Sequence, residues 1–133
     1  MNTIYAREDD LGADEYIDVV AKSGLNRPIG DRPRIERMLE HANLILTARQ
    51  DGRLVGFARS VTDFCFCCYL SDLAVDKACQ GQGIGRRLIE ETRAAAGGAQ
   101  TTTLLLSAPT AMTFYEGIEM PKADNCFLYR RQA

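Results

Sequence analysis

Three glycines in alternation, Gly81, Gly83 and Gly85, stand between an apolar run that ends at Val75 and a helical pattern that follows. No other stretch restricts the chain as much. Glycine lets the backbone take positive φ and lets a ligand come close. A helix that opens at such a loop has unpaired first-turn amides, which suit an anion. Leu88, Ile89, Thr92, Ala95 and Ala96 fall on one helical face, and Gly97-Gly98 ends the pattern. Two better-known phosphate loops do not fit. A dinucleotide fingerprint counted from Gly81 needs a glycine where Arg86 stands, and a Walker loop fails at the same residue. Arg86 and Arg87 in the first turn oppose the helix dipole, at about 0.3–1 kcal/mol each. A bound phosphate reverses that cost. The competing reading pairs them with Glu90 and Glu91, four residues on.

The flanking pattern supplies a sheet. Thr3 to Arg7 reads as a strand and Asp14 to Ser23 as a helix with Tyr16, Ile17, Val19 and Val20 on one side. Asn26 to Pro33 reads as a connector, and Arg34 to His41 as a second helix. Leu44 to Arg49 and Leu54 to Val61 flank Asp51-Gly52, a strong hairpin signal. Cys67 to Val75 follows as a third consecutive strand. Downstream, Thr102 to Ser107 reads as a buried strand, Pro109 to Glu116 as a short helix and Cys126 to Arg130 as a final strand, with a further strand near Ile118. The order β-α-α-β-β-β-α-β-α-β predicts one α/β (α+β) domain over residues 1–133.

Composition excludes several classes. Apolar residues make up 46% and charged residues 26%, which is incompatible with wholesale disorder. The formal net charge of −2 lacks the basic excess of a general nucleic-acid binder, so no nucleic-acid partner is expected. The longest apolar run is Phe64 to Leu70, whereas a membrane-spanning helix needs about 20 residues, so no membrane partner is expected either. The 5 cysteines cannot all pair within one chain. Cys65, Cys67 and Cys68 lack the two spaced pairs of a zinc site, and no metal is expected. Free thiols and an acidic amino terminus without an apolar core point to the reducing cytoplasm.

Asp72-Leu73-Ala74-Val75 followed by Gln80-x-x-Gly83-x-Gly85 resembles the acyl-CoA signature Q/R-x-x-G-x-G/A of the GNAT N-acetyltransferases. The resemblance implies the GNAT acyl-CoA N-acyltransferase fold, a mixed and mostly antiparallel sheet flanked by helices. It implies acetyl-CoA as acyl donor, with no metal. The pyrophosphate would sit on the loop of Gln80, Gly81, Gln82, Gly83, Ile84, Gly85 and Arg86. The pantetheine arm would run along the backbone of Leu73, Ala74 and Val75. Further on, Ala111-Met-Thr-Phe114-Tyr115 resembles the family's A-x-x-F-Y helix. By that likeness Ala111 and Phe114 line the cofactor, and Tyr115 protonates the departing thiolate. A thiol has a pKa near 8.5 and a phenol near 10, so a phenol within hydrogen-bond reach can release its proton as charge grows on sulfur. The bland reading makes Tyr115 an amphipathic core residue. The likeness covers Leu44 to Tyr115 and elsewhere only the element order. It lapses beyond Tyr115, where Gly117 comes early and Ile118-Glu119-Met120 replaces a Gly-Phe pair.

The acceptor amine must lose a proton. Asp72 is the carboxylate candidate, since burial can raise a pKa toward base work, but a structural acid in an ion pair explains it equally. His41, the sole histidine, suits the end of the second helix, where the dipole favours it. The expected activity is acetyl transfer to a primary amine by direct attack in a ternary complex. A small-molecule amine is the default acceptor, with a protein amine as the other class. The rival reading is a non-catalytic acyl-CoA-binding sensor or interaction module. Family members often form homodimers, and the Phe64 to Leu70 run offers either a dimer surface or core.

Overall fold

Asp51 and Gly52 both take positive φ, 51° and 78°, the pair of left-handed conformations a two-residue hairpin requires. That turn joins β2 (Leu44–Gln50) to β3 (Arg53–Thr62), the centre of the sheet in a computed structural model that describes residues 2–133. Ahead of them come β1 (Ile4–Arg7), α1 (Ala13–Ser23) and α2 (Arg32–His41). After them come β4 (Cys67–Val75), α3 (Ile84–Ala95), β5 (Thr102–Leu104) and α4 (Met112–Gly117). Short 3-10 turns occupy Lys77–Cys79, Gly98–Gln100 and Pro109–Ala111. The sheet runs β1-β2-β3-β4-β5, antiparallel throughout except for the parallel β4–β5 pair.

Each face of the sheet has its own core. Tyr16, Val19 and Val20 of α1 and Ile35 and Leu39 of α2 pack on Ile45, Phe57 and Ala74. Ile84 and Leu88 of α3 pack on Leu44, Leu46, Val55, Ala58 and Leu70 of the opposite face. Gly56 permits the close approach of α3: a Cβ there would lie 3.1 Å from the Ala74 carbonyl and 3.3 Å from the side chains of Ile84 and Leu88. Truncating fully buried Leu88 to alanine would cost about 2–5 kcal/mol.

One irregularity in β4 sets up the site. Arg59 faces Asp72 and Ser60 faces Leu70, so Ser71 is an extra, bulged residue. Cys68 and Leu70 face the α3 side, and simple alternation would send Asp72 there too. The bulge turns Asp72 instead toward Tyr16 of α1.

Four expectations need correction. The strand expected over Thr102 to Ser107 spans only Thr102–Leu104 and is not buried, with Leu104 and Leu106 both largely in solvent. Only β4 pairs with it, at Cys67↔Thr102, Cys68↔Thr103 and Tyr69↔Leu104. Neither the final strand over Cys126 to Arg130 nor the one near Ile118 forms; α4 ends at Gly117 and residues 118–133 contain no strand. A strand needs a paired edge, and a three-residue β5 offers a short one. Phe127 and Tyr129 therefore stay exposed. Finally, α2 starts at Arg32, two residues earlier than expected. Pro33 is tolerated in the first turn, and the Asp31 carboxylate accepts from the Arg34 amide at 3.2 Å.

Candidate active site

The chain leaves β4 at Val75 through a tightly specified turn. Asp76 accepts from the Ala78 amide at 2.9 Å and pairs with Arg53 at 3.2 Å. The Ala78 amide, joined by Arg53, holds its carboxyl below the usual range against the opposing effect of burial. Gln80 folds back to donate to the Val75 carbonyl at 3.2 Å, tying the loop to the strand end. Gln82 accepts from Gln50 at 3.0 Å, tying the same loop to β2. Gly81 and Gly83 take φ of 82° and 79°, and a Cβ on either would meet nothing within 4 Å. The loop is open on the side where these glycines have no side chain. Gly83 is the N-cap of α3 and offers no side-chain oxygen to its amides. The first-turn amides of Ile84, Gly85 and Arg86 thus belong to an uncapped helix end, and no acidic residue lies in that turn. Arg86 and Arg87 pair with Glu90 and Glu91, at 3.4 and 2.7 Å, which is the competing reading of their role. Arg87 also lies over the Tyr5 ring, 4.8 Å from its centroid.

The α4 helix closes on this loop. The Phe114 ring sits where a Cβ on Gly85 would be, 2.9 Å away, so the third glycine makes room for the aromatic of the downstream motif. Phe114 in turn stacks edge-on against Tyr115, with centroids 5.0 Å apart. Tyr115 is half-buried against the α3-side core. Burial pushes its phenol above the ordinary value, and the Arg27 charge pulls against that. Ala111 ends the 3-10 turn that leads into α4. Leu73 and Val75 are partly covered on the α3 side of β4, while Ala74 is buried toward α1. Past Tyr69 and Leu104 the β4–β5 pairing stops, so β4 continues through Leu73 to Val75 with no partner on that edge. The structure thus gathers Val75, Gln80 to Arg86 and Phe114 around one loop, with Tyr115 beside them.

Asp72 occupies different ground. It is fully buried, and four groups donate to it. Arg27 Nε and Ser71 Oγ reach Oδ1 at 2.6 and 3.2 Å. Tyr16 Oη reaches Oδ2 at 2.7 Å, and Arg59 Nε donates to the same oxygen. Burial pushes the carboxyl up, but the hydrogen bond and charge of Arg59, joined by the charge of Arg27, outweigh it and hold the group below its ordinary value. A carboxylate has about four lone-pair sites, and these four donors fill them. Arg27 and Arg59 were not singled out in the sequence. Arg59 did carry a signal: a charge inside an apolar strand needs a buried partner, and Asp72 in the next strand is one. Arg27 lies in an irregular connector and carried none.

His41 closes α2, away from the loop. Cys68 is buried in the α3-side core, whereas Cys65 on the β3–β4 turn and Cys67 at the start of β4 are exposed. That turn is built by Asp63, which accepts from the amides of Cys65, Phe66 and Cys67 at 2.8–3.0 Å. Phe66 is exposed while Leu70 is buried, so the apolar run from Phe64 divides between surface and core. No helix among the described residues is long and apolar enough to cross a membrane.

Residues 41–118 match the family model described as an acetyltransferase (GNAT) domain, more than half of the chain. The chain belongs to the GNAT acetyltransferase family. It is 32% identical over 111 residues to serotonin N-acetyltransferase 2, chloroplastic, of Oryza sativa subsp. japonica. The match takes in 80% of this chain and 54% of the rice protein, so the chain spans about half that relative's length. Among solved structures it is similar to a GNAT-family acetyltransferase of Streptococcus pneumoniae TIGR4, with a TM-score of 0.75, 18% identity and coverage of 99% and 100% of the two chains. It is also similar to AAC(6')-Iy in complex with the bisubstrate analogue CoA-S-monomethyl-acetylneamine, with a TM-score of 0.73, 13% identity and complete coverage of both. At such identities the two structures bear on fold, and the fold they share is the GNAT fold expected from the sequence.

Proposed function

We propose that this GNAT domain transfers the acetyl group of acetyl-CoA to a primary amine by direct attack within a ternary complex, and that the amine is a small molecule. One observation carries the reading. The open loop of Gly81 and Gly83, the uncapped start of α3 and the free edge of β4 lie together, and Phe114 seats α4 on the same loop. The residues fit acetyl-CoA. The loop from Gln80 to Arg86 would hold its pyrophosphate, and Ala111 and Phe114 would flank it. The backbone of Leu73, Ala74 and Val75 would hold the pantetheine arm and polarise the thioester carbonyl. Tyr115 would donate its proton to the leaving sulfur. We place Asp72 as the buried anchor of Arg27 and Arg59 rather than as the base, because its lone-pair sites are filled. The amine proton then leaves through solvent.

Two similar proteins support the acceptor class: one is named for serotonin and another was solved with the bisubstrate analogue CoA-S-monomethyl-acetylneamine. Release of free thiol from acetyl-CoA, measured against a panel of monoamines, amino sugars and lysine peptides, tests the reading. Turnover with small amines is expected. Turnover with peptides alone would replace the acceptor class. Saturable acetyl-CoA binding with no turnover on any amine would replace the enzyme with an acyl-CoA sensor.

A further inference from the structure

Arg27 lies in the connector between α1 and α2, and its guanidinium is held on three sides. Nε donates to Asp72 at 2.6 Å, Nη2 to the carbonyl of the bulged Ser71 at 2.7 Å, and Nη1 to the Asn26 carbonyl at 2.7 Å. It therefore bridges to β4 at the bulge, two residues past the last rung of the β4–β5 pairing at Tyr69. Past that rung β4 runs on without β5, and the opening along its free edge is the cleft proposed for acetyl-CoA. Its side chain is 23% exposed, against 0% for Asp72, so the arginine is the member of the cluster that meets solvent. The cluster holds two guanidinium groups, Arg27 and Arg59, on one carboxylate. Its other titratable member, Tyr16 of α1, is a neutral donor to Asp72. A net positive charge thus stands, partly desolvated, at the mouth of the cleft. Burial pushes the Tyr115 phenol of α4 up, and the Arg27 charge draws it down.

We propose that Arg27 supplies the fixed positive charge that stabilises the leaving thiolate of CoA. This rests on the acetyl-CoA reading and deepens it. The amine nitrogen's lone pair forms the new C–N bond. The C–S bond breaks, and its electron pair goes to sulfur. The Tyr115 proton passes to that sulfur, and the phenolate regains a proton given up through solvent by the acylated nitrogen. Overall one proton moves from nitrogen to sulfur. Negative charge visits first the sulfur and then the phenol oxygen, both within the field of a cation that Asp72 and the Ser71 carbonyl hold in place. A preorganised charge of this kind needs no rearrangement as the bond breaks.

The test needs no acceptor. Calorimetry measures the affinities of CoA and desulfo-CoA, which lacks the sulfur, for wild type, Arg27→Gln and Arg27→Lys. A nearby cation lowers the pKa of the bound thiol, so the CoA to desulfo-CoA affinity ratio should rise about fivefold in wild type between about pH 7 and about pH 9. It should stay flat in Arg27→Gln and rise in Arg27→Lys, which keeps the charge. A flat ratio in wild type, or an equal rise in Arg27→Gln, overturns the proposal while leaving CoA binding intact. Failure of wild type to bind either ligand overturns the acetyl-CoA reading itself. With an active amine in hand, Arg27→Gln should lower kcat about 10- to 100-fold with the KM for acetyl-CoA little changed. A change confined to KM would also reject the proposal.

Discussion

Asp72 and Tyr115 are both partly or fully removed from water, and their surroundings push their pKa values in opposite directions. Asp72 is held ionised by Arg59 and Arg27 against the cost of burial. Asp72→Asn would leave two guanidinium groups without their anion, at a cost of about 3–5 kcal/mol in urea or thermal unfolding. Because its folded pKa is depressed, its contribution is complete above the unfolded value near 3.9 and is lost as pH falls through the folded value. Wild type should therefore lose this stability only in strong acid, and Asp72→Asn should show a flatter stability curve there. For Tyr115, burial keeps the proton on the phenol, so the acid form persists through neutral pH. Tyr115→Phe should lower kcat by about 100-fold with acetyl-CoA affinity nearly unchanged, as steady-state thiol release and calorimetry would show. The activity limb that titrates Tyr115 should lie above the ordinary phenol pKa of about 10 and vanish in the variant. Undiminished turnover in Tyr115→Phe would remove the phenol from the mechanism.

At the scale of elements, the glycine loop makes the sharpest demand. Gly83 sits at φ 79° with open space around it, and Gly98, at the far end of α3, sits at φ 60° with equally open space. Alanine at either position pays for a left-handed conformation, about 1–2 kcal/mol. Only Gly83 faces the proposed pyrophosphate. Gly83→Ala should weaken acetyl-CoA binding at least about tenfold beyond its effect on melting, whereas Gly98→Ala should shift melting alone. Equal losses of affinity in the two would mean that the loop is not the binding site. The contrast also shows what the sequence could convey. The β2–β3 hairpin, the loop and α3 were legible because Asp51-Gly52 and the alternating glycines fix backbone geometry locally. The connector was not, since the Arg27 position depends on a bulge at Ser71 that no local pattern announces. Asp72 was legible as a buried carboxylate but not in its role, which depends on residues 45 and 13 positions away. The stretches after Ser107 misled for the opposite reason. Their residues favour strands, but whether such residues pair depends on an edge, and β5 provides only three residues of it.

The whole molecule divides unevenly about the cleft. On one side stand β1 to β4 with α1, α2 and α3, each packed into one of the two cores. On the other stand the three residues of β5 and a six-residue α4 with no fully buried side chain, joined to the rest chiefly through the start of β4, Phe114 and Tyr115. Elements with so little buried apolar surface open at low free-energy cost, well before the cores do. A ligand that fills the cleft touches both sides and is bound only by the folded form. At a concentration of about 100 times Kd it should add about 2.7 kcal/mol to stability. In a domain of this size that raises Tm by roughly 10 °C. The gain should not be uniform. Amide hydrogen exchange should slow most in residues 102–117 and at the start of α3, because those segments lose their independent opening when the ligand joins them to the sheet. Exchange in α2 and at the β2–β3 turn should slow by no more than the global gain. Protection that appeared only in α1 and α2 would move the acetyl-CoA site to the opposite face of the sheet, away from the glycine loop.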